Sequence, residues 1–441
     1  MGTSSIRVSL TAAAVAAAVS LAAPPSARAA RVDYVVDAGV EHDDNVRVSA
    51  VDADAQRILR AGLGFLVTQE GSALQAVVAG RADYREFDGG IDDGVEGMLS
   101  AYLNWVAIPD RLSFTVQDEL ELQAVDRFAA DSPDNRQQVN VLSLGPNFLF
   151  NLGRTLQGRV EARYIDSDAE ITDEFNSKRA SAALRVTKAL DERGSLGFNA
   201  QWTDIDYDSD LAARDHERTD VYASYVRTRA SADYTINAGY SRLDYRDGDR
   251  RNGPLLRLEA GWRPSERSRL SLMVLNQFSD AADAALFDGV AGRPEASVPG
   301  SVLVDSRTVI PSAYRERRLA LAWDQAGDRV GWRIEPYIQR LRYMDALAPD
   351  EEARGIWAGM DYRISPTVTL TGWAGADRTE YRPLGASDDT RRGGLALEKR
   401  WTPHWSTALS YYRYERDSEV FDNEVRQNVW YLSVSYRNRP L

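Results

Sequence analysis

The chain repeats one pattern nearly end to end. Two stretches of alternating apolar and polar residues are joined by a tight-turn signal, roughly every 40 residues. The turn signals are Glu70-Gly71, Pro109-Asp110, Gly153-Arg154, Arg193-Gly194, Pro264-Ser265, Gly327-Asp328, Ser365-Pro366 and Thr402-Pro403. Spacing alone predicts a further, unmarked turn around Thr228-Ala232. A period of two sends successive side chains to opposite faces, so each unit reads as an antiparallel hairpin. Strands of about 10 or more residues, joined alternately by short turns and longer loops, suit a closed up-and-down transmembrane β-barrel.

Leu156, Gly158, Val160, Ala162 and Tyr164 fall on one face, opposite Gln157, Arg159, Glu161 and Arg163. Leu99, Ala101, Leu103 and Trp105 likewise oppose Glu96, Ser100 and Asn104, and Leu196, Phe198, Ala200 and Trp202 oppose Ser195, Asn199 and Gln201. A soluble β-sandwich would show the same alternation. Three features favour the membrane. Trp105, Trp202, Trp262, Trp323, Trp401, Trp405 and Tyr431 sit near expected strand ends, the depth an amphipathic ring prefers. Connections alternate between short and long. The last strand places Trp430, Leu432, Val434 and Tyr436 on one face and ends near the C-terminus, where it can pair with the first.

In a barrel only one face of each strand meets lipid, so 27% charged residues do not exclude it. Beyond the N-terminus no apolar run is long enough for a helical span. Residues 1–29 read as a cleavable signal peptide: Arg7, an apolar stretch from Val8 to Ala23, Pro24-Pro25, then Ala27-Arg28-Ala29. Cleavage removes two arginines and no acid, taking the net charge from −13 to −15. Such a chain is a poor nucleic-acid binder. Cysteine is absent, which excludes disulfides, thiolate metal sites and lipobox acylation. No linker divides residues 30–441, so one barrel of about 20 strands (18–22) is expected, all-β, with both termini periplasmic. A soluble β-propeller also repeats at this length but needs about four short strands per unit.

The expected lumen-facing residues include Gln117, Glu119 and Glu121 on one strand and Arg159, Glu161 and Arg163 on another. In a channel they would set solute preference; in a plugged barrel they would form an ion-pair network. Acid concentrates in the expected outer loops: Asp43-Asp44, Asp88 with Asp92-Asp93, Asp131 with Asp134, Asp166 to Glu174, and alternating Asp204, Asp206, Asp208 and Asp210. That last series lacks the glycine and glutamate of a calcium loop. Residues 279–312 form the longest connection, either folded into the lumen or covering the rim. Asp118 interrupts the apolar face Leu112, Phe114, Val116, Leu120, Leu122, and a bulge or a rim position would relieve it. The three histidines, His42, His216 and His404, read as solvated loop or turn residues. No serine is specifically placed beside them, so neither catalysis nor a cofactor is expected.

His42-Asp43-Asp44-Asn45-Val46, closing the first strand, resembles the acidic segment near the start of outer-membrane barrels encoded with exopolysaccharide and exosortase (PEP-CTERM) systems, a branch of the porin-like barrel superfamily. Asp204-Ile205-Asp206-Tyr207-Asp208 after a strand fits that group's layout, whereas Leu441 stands where a terminal Phe or Trp is typical. The resemblance implies a channel or export-associated component for extracellular polysaccharide. Its partners would be outer-membrane lipid, the polysaccharide and its export machinery, with the oligomeric state left open. A general small-solute porin and a plugged, non-conducting structural or receptor barrel are the alternatives.

Overall fold

The computed structural model describes residues 30–126, 128–209, 215–290, 305–308, 310–345 and 348–439; the expected signal peptide lies outside them. The chain order begins β1 (Arg31–Asp43), β2 (Gln56–Glu70), β3 (Leu74–Phe87), β4 (Gly94–Ile108), β5 (Leu112–Ala124), β6 (Arg136–Asn151) and β7 (Leu156–Ala169). It continues with β8 (Ser177–Asp191), β9 (Gly194–Tyr207), β10 (His216–Thr228), β11 (Ala232–Tyr245), β12 (Arg250–Ser265) and β13 (Ser268–Ser279). Helix α1 (Ala281–Val290) and the short β14 (Asp305–Thr308) follow. The chain closes with β15 (Tyr314–Ala326), β16 (Val330–Tyr343), β17 (Asp350–Ser365), β18 (Val368–Arg382), β19 (Ala386–Arg400), β20 (Trp405–Ser418) and β21 (Asn423–Arg437).

Every strand except β14 pairs antiparallel with its neighbours, β13 pairs directly with β15, and β1 pairs with β21. Setting β14 aside leaves 21 − 1 = 20 strands in one closed wall. Closure gives every strand two partners and so removes the exposed edge that a sheet this large would otherwise carry. The seam is reinforced by the segment that carries the resemblance. Asp43 accepts from Gln427 Nε2 at 2.6 Å, and Asp44 accepts from Asn428 N and Nδ2, both at 2.7 Å. Asn45 Nδ2 donates to the carbonyls of Ser49 and Arg426. These short polar side chains tie the first strand to the last.

Nine short connections lie at one end: residues 71–73, 109–111, 152–155, 192–193, 229–231, 266–267, 327–329, 366–367 and 401–404. They match the marked turns and the unmarked one. Asp110 shows why polar residues recur here: its φ of 58° is left-handed, which Asp tolerates better than most residues. The other end carries the long loops, although its connections 246–249, 383–385 and 419–422 are as short as the turns. Strands reach further into it than acid content suggests, for Asp166 and Asp168 belong to β7 and Asp204 and Asp206 to β9; Asp210 lies outside the described residues.

The exterior is an apolar band. On β1 it runs from Val32 to Val40, nine residues, which at about 3.4 Å rise and a tilt of about 40° spans about 23 Å. Contacts between outward rings mark the turn end of the wall: Trp105–Phe114, Phe148–Phe150, Tyr225–Tyr234, Trp323–Trp332 and Trp405–Tyr436. The six tryptophans expected near strand ends are all exposed. Tyr431 is the exception: it faces inward and is buried, with the Arg60 guanidinium carbon 4.9 Å from its ring centre. Position alone had suggested an outer ring, but its parity along β21 is that of Ser433 and Ser435.

Asp118 does face outward, opposite Ala101 and Leu142, at mid-strand with no bulge beside it. It is relieved differently from either expectation. The carboxylate is wholly covered by an outer cluster that includes Leu99, Ala101 and Leu120, and it accepts from Asn140 Nδ2 at 2.8 Å. Among the described residues no helix is long and apolar enough to cross a membrane.

Candidate functional site

The site is the barrel interior, and its walls differ. Inward side chains of β1 to β4 and β6 form a continuous ion-pair ladder. Arg81 lies 3.0 Å from Asp37 and 2.6 Å from Asp83, and Arg60 lies 2.6 Å from Glu41. Arg85 bridges Glu41 at 2.9 Å and Glu96 at 3.6 Å, and Arg136 continues to Glu96 at 3.4 Å. Asp37, Glu41, Arg81 and Asp83 are almost fully buried, so each charge depends on its partner.

Both expected lumen sets face inward, on strands separated only by β6. Gln117 Nε2 donates to the Leu286 carbonyl at 2.8 Å. Glu119 accepts from Ser100 Oγ at 3.1 Å, and Glu121 accepts from Gln123. Glu161 is shared by Arg159 at 2.5 Å and Arg185 at 3.0 Å, while Arg163 donates to the carbonyls of Pro146 and Ala162. Arg159 remains 49% exposed, so water reaches this wall.

The long connection enters the barrel. Asp280 Oδ1 accepts from the backbone N–H of Ala282 and Asp283, capping α1, and both its oxygens receive Arg179 Nη1 at 2.8 Å. Asp283 pairs with Arg218 and lies 3.8 Å from Arg179. Burial would raise the Asp283 carboxyl, but the two guanidiniums outweigh it and bring it down to about 2. Ala281, Ala282 and Ala285 then pack on Val139, Val141, Ile165 and Phe175. Beyond α1, β14 adds in parallel to the loop end of β5. The loops after β1 and β5 also turn inward: Phe128 meets Tyr381 edge-on at 5.0 Å, Arg416 donates to the Phe128 carbonyl, and Val48 packs with Tyr414 and Val425.

Sequence reasoning missed the inward aromatics of β16 to β20. Register places Arg333, Gly359, Trp373, Gly394 and Tyr412 in one cross-strand row. Glu335, Trp357, Gly375, Arg392 and Tyr414 form the next row, and Tyr337, Gly355 and Asp377 begin a third. A glycine two residues from each tryptophan, as in Gly355-Ile356-Trp357 and Trp373-Ala374-Gly375, was the available signal.

Two other groups differ from expectation. His216 is not a solvated loop residue: it opens β10, is buried, and packs beside Tyr207 and Tyr245, because the strand already includes it and gives it the inward parity of Arg218 and Asp220. His42 is the penultimate residue of β1 and faces outward, and His404 Nδ1 lies 2.8 Å from the Arg437 carbonyl oxygen in its turn. Asp204, Asp206 and Asp215 surround the Arg246 guanidinium, which occupies the position a cation would need.

No protein-family model matches the chain, and no curated protein matches it in sequence. Solved structures that resemble it include the siderophore receptor PirA from Pseudomonas aeruginosa, at 14% identity over 92% of this chain and 80% of that one, TM-score 0.42. The FrpB iron transporter from Neisseria meningitidis (F3-3 variant) is 11% identical over 92% and 81%, TM-score 0.45. A loop-deletion form of OmpT, an outer membrane protein of Vibrio cholerae, is 11% identical over 93% and 100%, TM-score 0.35. The likeness is one of barrel architecture. It assigns no cargo.

Proposed function

We propose that the mature chain spans the outer membrane as a non-catalytic channel or export-associated component for extracellular polysaccharide. The observation that carries this reading is a wet polar interior inside an apolar exterior. Inward residues of separate strands, Val77, Tyr102 and Trp357, remain 50%, 42% and 39% exposed although they lie within the wall. A 20-strand wall encloses more space than its own side chains fill. The polysaccharide part rests on the resemblance at His42 to Val46, of which Asp43, Asp44 and Asn45 here serve the closing seam.

The plugged, non-conducting barrel remains the second reading. It is favoured by the inward course of the loops carrying Val48 and Phe128 and of α1. Single-channel recording in planar bilayers separates the two. Discrete, reproducible current steps support the channel, and a properly inserted barrel without steps refutes it.

A further inference from the structure

We propose that the inward wall of β16 to β20 carries a saccharide-binding track, on which Tyr337, Trp357 and Trp373 stack against rings of a neutral glycan. The inference rests on the channel reading and adds which wall holds the glycan and that the glycan is uncharged.

The first support is how the rings lie. Four glycines, Gly355, Gly359, Gly375 and Gly394, share the inward face with the aromatics and alternate with them across strands. A Cβ at Gly359 would fall within 3 Å of the Trp357 ring edge, one at Gly394 would sit 2.8 Å from Trp373 Nε1, and one at Gly355 would sit 2.8 Å from Tyr337 Cε1. The rings therefore rest in the space that a side chain would have filled, against the wall rather than standing off it. Glycine permits that close approach and no other residue does. A ring held against its wall turns one π-face to the lumen, and Trp357 is 39% exposed there. Trp373 and Tyr412 lie 5.8 Å apart with their planes tilted by 36°.

The second support is what surrounds them. Arg392 donates to Asp377 at 3.2 Å, Arg333 lies 2.6 Å from Glu335 and 3.1 Å from Asp324, and the Arg318 guanidinium carbon lies 5.7 Å from the Tyr337 ring centre. Arginines and carboxylates alternate on this wall, with Asp361 and Asp388 adding further acid, so it is polar without an excess of positive charge. A polyanion would meet no excess of positive charge here.

A pyranose ring presents weakly positive C–H groups on its faces and hydroxyls around its rim. An aromatic face is electron-rich and attracts the first, while paired carboxylates and guanidiniums hydrogen-bond the second. Tyr337, Trp357 and Trp373 step from one strand to the next along a diagonal of the wall, each about 7–8 Å from the next. A short run of sugars lying along that diagonal can thus pass over all three rings. A wholly apolar solute would use the rings and leave the ion pairs idle.

The test uses the full mature barrel in detergent and in bilayers, with maltohexaose and cellohexaose as probes and polyethylene glycol of equal hydrodynamic size as the control. Calorimetry should detect binding of at least one hexasaccharide and none of the glycol. Trp357→Ala with Trp373→Ala should weaken it at least tenfold, while Trp357→Tyr, which keeps a ring, should stay within about threefold. A merely structural tryptophan would not be rescued in this way. Sugar binding equal to that of the glycol, or a double variant that binds like the parent, overturns the proposal. So does binding of flat apolar solutes alone. Current steps without sugar binding remove the track and leave the channel; sugar binding without current steps does the reverse.

Discussion

Asp280 is the most consequential single residue of the segment that enters the barrel, because one carboxylate performs two tasks. It caps α1 and neutralises Arg179, a fully buried guanidinium whose other hydrogen-bonding partner is Ser177 Oγ. Asp280→Ala removes both. Loss of the cap costs about 1 kcal/mol, and leaving the buried Arg179 charge with only Asp283, 3.8 Å away, costs up to about 3–5 kcal/mol. Against this, the methyl groups of Ala281, Ala282 and Ala285 contribute about 0.8 kcal/mol each, and Asp283, held by Arg218 and Arg179 together, adds about 2 kcal/mol. The two sums are of the same size. The under-paired guanidinium escapes its penalty only if water reaches it, which requires α1 to leave the wall. Asp280→Ala should therefore release α1 in a substantial fraction of molecules. Asp280→Asn keeps the cap and loses only the charge, so its effect should be intermediate. Amide hydrogen exchange of residues 281–286 in the detergent-solubilised barrel measures this directly. Exchange at least tenfold faster in Asp280→Ala, with Asp280→Asn between, is expected. Unchanged protection in Asp280→Ala would refute the reasoning.

The same rules give three further expectations. Arg81→Ala leaves Asp37 buried without its cation and Asp83 with only Arg60 at 3.8 Å, and should cost about 3–5 kcal/mol in urea unfolding, whereas Arg426→Ala, at an exposed pair with Glu424, should cost less than about 1 kcal/mol. Asn140→Leu strips the outward Asp118 carboxylate of its donor and should lower stability by about 1–3 kcal/mol, while Asn140→Leu with Asp118→Leu should restore most of it, read as the midpoint of heat-modified gel migration. Because the folded Asp283 carboxyl titrates below its ordinary 3.8, its contribution is complete above that pH and is lost only as pH falls toward 2. Protection of α1 should accordingly be the same at pH 7 and pH 5, and release at pH 5 would contradict the pairing.

The sequence carried the barrel because the relevant information is local. Alternation along Leu156 to Tyr164 separates faces, and a residue such as Asp110 marks its turn through its own backbone preference. The charged lumen residues of β5 and β7 followed from the same parity. The docking of α1 was not legible, since Arg179 and Asp280 meet across 101 residues of chain and nothing in either segment announces the other. The inward aromatics were hidden for a different reason. Along Ile356 to Met360 both faces are apolar or glycine, so alternation is blurred and a tryptophan reads as membrane-facing. Parity with Asp361 fixes Trp357 as inward, and parity with Asp377 does the same for Trp373. Tyr431 was misplaced in the same way. Asp118 shows the converse: its outward parity was evident, but its relief by Asn140 depends on a neighbouring strand.

The absence of native cysteine allows the membrane-spanning wall itself to be tested residue by residue. Single cysteines would replace Gln157, Arg159, Trp357 and Asp361, which face the lumen, and Val160, Ile356 and Met360, which face outward. Each variant would be treated with a membrane-impermeant maleimide in intact outer membranes. The lumen positions should label and the outward positions should stay protected until detergent is added, a period of two in neighbouring residues. Equal labelling of both faces in the membrane fraction, or recovery of the chain in the detergent-free soluble fraction, would contradict the barrel's place in a bilayer.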